Sequence, residues 1–351
     1  MVCLILAAVC WTALRFEYTN QFAPSSYDCI YDFTAAVPFG KRVLMPLLAH
    51  LVTKSGLGVI HAFEVLEIVS VIMLCLGLSR TFKLYGNERM SRFLGAGIMF
   101  VLPWLFLVPC HYSLLFPWDL PAMAFTAWGI WAALTGRWGL MCGLMVFASC
   151  NRESAVLLPG IWVAICLGKQ SLLRTVGMVT LLGCVYVLVQ ASINPFLNDN
   201  LDFYELTWGM SMKVHGTWRL LNNWNWLSEC GQRVFVWLGT MSCLPVLFGL
   251  GVKKFPIALR RCGLVAWGYF WMLMVVGNIY EARVFGEITV LLYVPVALWI
   301  WQRTTGEKLE ISEMKGWSVS RWLEWVEIGC GIGVAAGVVL LGCAFSQGWI
   351  R

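Results

Sequence analysis

The chain has 351 residues, of which 60% are apolar and 13% charged, with a formal net charge of +6. A soluble protein of this size leaves much of its surface to water and cannot hide so many apolar side chains, which excludes a soluble enzyme, a disordered chain and a nucleic-acid binder. What remains is a polytopic membrane protein, whose positive excess follows from Lys and Arg collecting on the cytoplasmic side.

Apolar runs predict spans at 2–14, 59–79, 93–110, 119–135, 138–150, 155–168, 175–193, 233–252, 262–280, 284–301 and 325–345. At roughly 20 residues per crossing, about ten or eleven fit the length. The run 2–14 has no basic segment before it and reads as an uncleaved first helix. Residues 43–54 read as a short interfacial or re-entrant helix. The neighbours 138–150 and 155–168 are brief and need tilt, or ends resting on protein. The expected fold is an all-α integral membrane bundle of about eleven helices, one domain over 1–351, with long loops at 15–42 and 194–232.

Fifteen of the 25 Lys and Arg fall on one alternating set of loops, including Arg80, Lys83, Arg137, Lys169, Lys253 and Arg303. That set is expected to be cytoplasmic, together with the N-terminus, and the long loops external. Most of the 14 cysteines lie inside apolar runs, where they act as small hydrophobes. No Cys/His spacing suggests zinc or an iron–sulfur cluster. Cys29, Cys110 and Cys230 fall on one side, where a disulfide among them is one option.

The unusual polar residues gather on the expected external face. Asp28 and Asp32 are four apart, so a local helix puts both carboxylates on one side. Such a pair suits a general base or a divalent cation such as Mg²⁺ or Mn²⁺, or a solvated loop with Tyr27 and Tyr31 as interface anchors. Arg42 follows at the entry of the next helix. Glu64 and Glu67 share a face of the span 59–79 and read first as partners of Arg42 or Lys54, second as part of a polar cavity. Asp119 opens the span 119–135 and reads first as an N-cap worth about 1 kcal/mol, second as a ligand contact; His111 nearby reads as an interface residue.

At 151–154, Asn151, Arg152, Glu153 and Ser154 interrupt two apolar runs, although a turn needs no charge there. Charges in such a place are costly unless they reach water or pair. A plain turn with a local ion pair is one reading. The other is a polar pocket in which Arg152 takes a phosphate with its planar fork, oriented by Glu153. Glu281 and Arg283 form the turn between two long spans, with Glu287 a turn further on, and either bind a ligand or brace the bundle. Trp218, Trp224 and Trp226 alternate with Asn222, Asn223 and Asn225, a combination that suits sugar rings or an interfacial belt.

The blocks YDCIYDFTAAVPFGKRVLMPLL (27–48), NRESA (151–155) and YEARVFGE (280–287) resemble the multi-pass membrane glycosyltransferases of the GT-C class and related bacterial membrane proteins. The resemblance implies a helical bundle whose first external loop supplies a catalytic acid. It also implies a polyprenyl-phosphate-linked sugar as donor, with transfer on the outer face of the bacterial inner membrane. By position, Asp28 or Asp32 takes the acid's role, and Arg42, Arg152 and Arg283 face the donor phosphate, with Asp119, Glu153 and Glu281 beside them. The adjacent acidic pair usual in that class is replaced here by two acids separated by three residues. Two other functions fit the same composition: a transporter or flippase of a lipid-linked or anionic solute, and a non-catalytic subunit of a membrane complex. The transferase reading requires Asp28, Asp32, Arg152 and Arg283 to line one hollow.

Overall fold

Where water is absent a backbone must satisfy its own N–H and C=O groups, and a long apolar run does so as a helix. The computed structural model describes residues 2–35, 39–107, 114–193, 212–228, 238–277, 279 and 281–307, and these form fourteen α-helices with almost no strand. They are α1 (Val2–Tyr18), α2 (Tyr27–Tyr31), α3 (Leu44–Thr53), α4 (Val59–Phe82), α5 (Glu88–Gly97), α6 (Leu102–Phe106), α7 (Asp119–Thr135), α8 (Trp138–Asn151), α9 (Leu157–Cys166), α10 (Leu172–Ile193), α11 (Met212–Ser228), α12 (Leu244–Gly251), α13 (Ile257–Val276) and α14 (Gly286–Thr305).

Among the described residues four helical segments are long and apolar enough to cross a membrane: Val59–Phe82, Leu172–Ile193, Ile257–Val276 and Ala282–Thr305, the last joining a 3-10 turn to α14. The expected run 325–345, and with it the count of eleven, lies outside the described residues, as do Cys110, His111, Cys230, the Trp218 side chain and much of 194–243. The stretch 93–110 is not one continuous helix. α5 gives way to a 3-10 turn at Ile98–Phe100 and then to α6, where Pro103 sits in the first turn and has no N–H to continue the earlier ladder. The expected loops are also partly helical: α1 runs on to Tyr18, and α11 occupies 212–228.

α4 and α7 form the centre of the bundle, with α8, α9 and α14 around α7 and α13 against α9 and α14. Small residues permit close approach. A Cβ on Gly77 of α4 would lie 2.9 Å from the Trp128 ring of α7, and one on Gly286 would lie 2.9 Å from Met123. α10 is the least covered span, with Leu173 83% and Leu188 66% exposed, an apolar face suited to lipid. A two-residue parallel pairing, Asn20 with Leu114 and Gln21 with Leu115, ties the exit of α1 to the segment entering α7. This pairing brings the end of α1 beside Phe116, Trp118 and Asp119.

Candidate functional site

At one end of the bundle, side chains from six parts of the chain meet around Asp119. Its carboxylate is 1% exposed. Oδ1 accepts from Arg152 Nη1 at 3.3 Å and Arg283 Nη1 at 3.4 Å, and Oδ2 faces Arg15 Nη2 at 3.6 Å. Each arginine holds a second acid: Arg15 is bonded to Glu67, Arg152 faces Glu287 at 3.7 Å, and Arg283 is bonded to Glu281. The C-terminal ends of α1 and α8 and the N-terminal portions of α4, α7 and α14 therefore converge. Isolated charges in such a place would cost several kcal/mol each; alternation of sign around a shared carboxylate is what makes the burial tolerable.

Local structure places these groups. α8 stops at Asn151, Arg152 is extended, and a 3-10 turn at Glu153–Val156 leads into α9. The break lets two consecutive residues read two others: Asn151 Nδ2 donates to the Trp118 carbonyl at 2.9 Å, and Arg152 takes the Asp119 carboxylate. Burial alone would lower Arg152; Glu287, Tyr269 and Asp119 outweigh it and hold the guanidinium above its ordinary value.

Toward solvent the network opens at Glu153, whose side chain is 42% exposed, while Arg42, Arg283 and Arg152 are 11%, 10% and 9% exposed. Arg42 donates to Glu153 Oε2 at 3.1 Å. Its guanidinium lies over Trp118, 4.6 Å from the ring centroid, and over Phe39 at 5.6 Å. Arg283 lies 3.9 Å over Phe116. Phe39 stacks on Phe116 at 5.5 Å and on Trp118 at 6.0 Å, and Phe116 and Trp118 meet tilted at 5.1 Å. A guanidinium over a desolvated ring gains about 2 kcal/mol, and its planar fork still donates to acids at its edge, as Arg42 does to Glu153 and Arg283 to Asp119 and Glu281. For Glu153, burial pushes the carboxyl up, but Arg42 and Arg152 outweigh this and hold it below its ordinary range.

Of the residues singled out in the sequence, Arg42, Asp119, Arg152, Glu153, Glu281 and Arg283 come together. Asp28 and Asp32 do not, so the single hollow expected to hold both acids with Arg152 and Arg283 is not formed, and only its arginine part is present. The two acids are helical neighbours, on α2 and at its C-cap, but both are exposed and neither pairs with Arg15, Arg42, Arg152 or Arg283. Tyr27 of the same helix is buried, stacked between Phe16 and Phe63 rather than anchored at an interface.

Asp119 is not an N-cap. Trp118 holds that position without a side-chain bond, and the Asp119 carboxylate is drawn to the arginines. Glu67 pairs with Arg15, not with Arg42 or Lys54, and Glu64 pairs with His61 at 2.8 Å. Asn223 offers nothing to a sugar: Nδ2 donates to the carbonyls of Met274 and Gly277, and Oδ1 accepts from the Ile279 N–H, closing the end of α13. Arg15 and the Phe116–Trp118 platform were not singled out in the sequence. The only signal for Arg15 is a charge at the end of an apolar run, and nothing local announces partners 52 and 104 residues away.

Among the described residues no group of three or more His, Cys, Asp or Glu side chains is placed to hold a metal ion. The buried carboxylates already face guanidinium groups, whose charge repels a divalent cation, so these residues do not fit Mg²⁺ or Mn²⁺. No family model, curated protein or solved structure matches the chain.

Proposed function

We propose that the protein is a membrane transferase of the GT-C kind, which takes a sugar from a polyprenyl-phosphate donor and passes it to an acceptor hydroxyl on the external face of a bacterial inner membrane. The observation that carries this reading is the pair Arg42 and Arg283 in the network around Asp119 and Glu153. Each fork is seated on an aromatic ring, partly exposed, and bonded to an acid that a phosphate can replace. Arginine forks match phosphate oxygens two at a time. As the bond between sugar and phosphate breaks, charge grows on the departing oxygen, and fixed guanidinium groups in a poorly solvated site stabilise it. Behind Arg283, Asp119 accepts from its fork and is itself bonded by Arg152, while Arg42 is held by Glu153.

The test is transfer of a labelled sugar from polyprenyl-phosphate sugars by the purified protein in lipid bilayers. Turnover is expected, with at least a tenfold loss in Arg42→Lys, which keeps the charge and removes the fork. Absence both of turnover and of saturable binding of polyprenyl phosphate would end the proposal. A carrier of a lipid-linked or anionic solute is the second reading, favoured by Glu67 and Glu287, two acids buried inside helices α4 and α14. Flux of the intact donor across liposomes without transfer would select it.

A further inference from the structure

The network holds five carboxylates, and they differ sharply in access. Glu67, Asp119 and Glu287 are at most 3% exposed, and each faces an arginine. Glu281 is 11% exposed and bonded to Arg283. Glu153 is 42% exposed, and the side chain opposite it is Arg42, itself pinned to Trp118 and Phe39. Glu153 also opens the 3-10 turn between α8 and α9, so its side chain can swing without moving a helix. A proton acceptor needs a carboxylate that is ionised, beside the phosphate and reachable by a second substrate. Among the described residues of the network Glu153 meets all three conditions. Asp28 and Asp32 are reachable but stand apart from the arginines.

Resting on the transferase reading above, we propose that Glu153 is the proton acceptor of the reaction and that Arg42 is the latch that releases it. In the free protein Arg42 holds Glu153. The donor phosphate takes the Arg42 fork, which stays on its aromatic seat, and the carboxylate is freed. The acceptor O–H bond then breaks, with its proton passing to Glu153. The acceptor oxygen forms the new bond to the anomeric carbon. The bond from that carbon to the phosphate oxygen breaks, and its electron pair leaves on the phosphate between Arg42 and Arg283. Glu153 returns the proton to water through its exposed side. The charged and titratable groups facing Glu153 are Arg42 before α3, the adjacent Arg152, Tyr186 of α10 and Tyr269 of α13.

The experiment compares wild type, Glu153→Gln, Glu153→Asp and Glu153→Ala in bilayers, measuring polyprenyl-phosphate binding and sugar transfer separately. General bases contribute about 10²–10⁴ in rate. Glu153→Gln should therefore lose roughly 100-fold or more in kcat while binding polyprenyl phosphate at least as well, since Arg42 has lost its competitor. Glu153→Asp should keep part of the rate, and added formate should restore part of the rate of Glu153→Ala, which a merely structural role would not allow. The acid limb of kcat should lie above that of kcat/KM for the donor, because Arg42 restrains Glu153 only before the donor binds. If wild type turns over and Glu153→Gln keeps its rate, with the loss appearing in Asp28→Asn or Asp32→Asn, Glu153 is not the base and the transferase reading stands. If wild type neither binds the lipid phosphate nor transfers sugar, both fall.

Discussion

Asp119→Asn isolates the network's contribution to the fold. The substitution keeps the side chain's shape and removes the charge shared by Arg15, Arg152 and Arg283. Breaking a buried ion pair from one side costs about 3–5 kcal/mol, because the opposite charge is left without compensation. Here each arginine keeps a second acid (Glu67, Glu287 and Glu281 respectively), which places the loss at the lower end, about 3 kcal/mol. Asp119 also stands in the first turn of α7, where a negative charge contributes about 0.3–1 kcal/mol. The sum, roughly 3–4 kcal/mol, lowers the folding equilibrium by more than two decades. Reversible unfolding in mixed micelles, followed by tryptophan fluorescence, measures it directly. Asp32→Asn, an exposed acid outside the network, should stay within about 0.5 kcal/mol of wild type. An Asp119→Asn protein as stable as Asp32→Asn would refute the reasoning, since it would mean that the three arginines do not depend on one carboxylate.

Three further outcomes follow from the same contacts. Arg15→Met and Glu67→Leu should each destabilise the fold by about 3 kcal/mol or more, and the double variant should recover much of that, with a coupling energy of at least about 1.5 kcal/mol in a double-mutant cycle. Asn223→Leu strands the carbonyls of Met274 and Gly277 and the N–H of Ile279 at about 1–3 kcal/mol per group left unsatisfied, and hydrogen exchange should rise at the end of α13 while transfer chemistry is unchanged. Glu153 has its native pKa held below the ordinary 4.5, so the Arg42–Glu153 pair stabilises the fold above that pH and fades as pH falls through the lower native value. Glu153→Gln should lower stability at pH 7–8 by the contribution of this pair and remove its part of the acid-side slope, leaving the slope at pH 7–8 unchanged.

Much of the helical scaffold is legible in the sequence, because apolar runs interrupted by polar turns allow one backbone solution in a membrane. The run 59–79 becomes α4, 119–135 becomes α7 and 175–193 lies within α10. Charges placed where none is needed also point to the site, as Arg152, Glu153 and Arg283 do. What escapes is pairing over distance. Arg15 reads as the start of a loop because hydropathy falls there, yet α1 continues past it, since Glu67 and Asp119 neutralise the guanidinium. The capping role expected of Asp119 is a sound local inference that three arginines from elsewhere override. Asn223 escapes in the opposite sense: its amide sits in a Trp/Asn-rich pattern that suggests a sugar, but the open backbone groups at the end of α13 take it first. Asp28 and Asp32 share a helical side as their spacing predicts, but spacing along one helix says nothing of which way that side faces.

The central claim is that Arg42 and Arg283 together form a seat for a lipid phosphate. Equilibrium binding of polyprenyl phosphate to the protein in bilayer discs tests it most directly, comparing wild type with Arg42→Lys and Arg283→Lys, each first shown to be folded. Saturable binding by wild type, competed by inorganic phosphate and weakened tenfold or more in each variant, is the expected result. Equal affinity in all three proteins would contradict it.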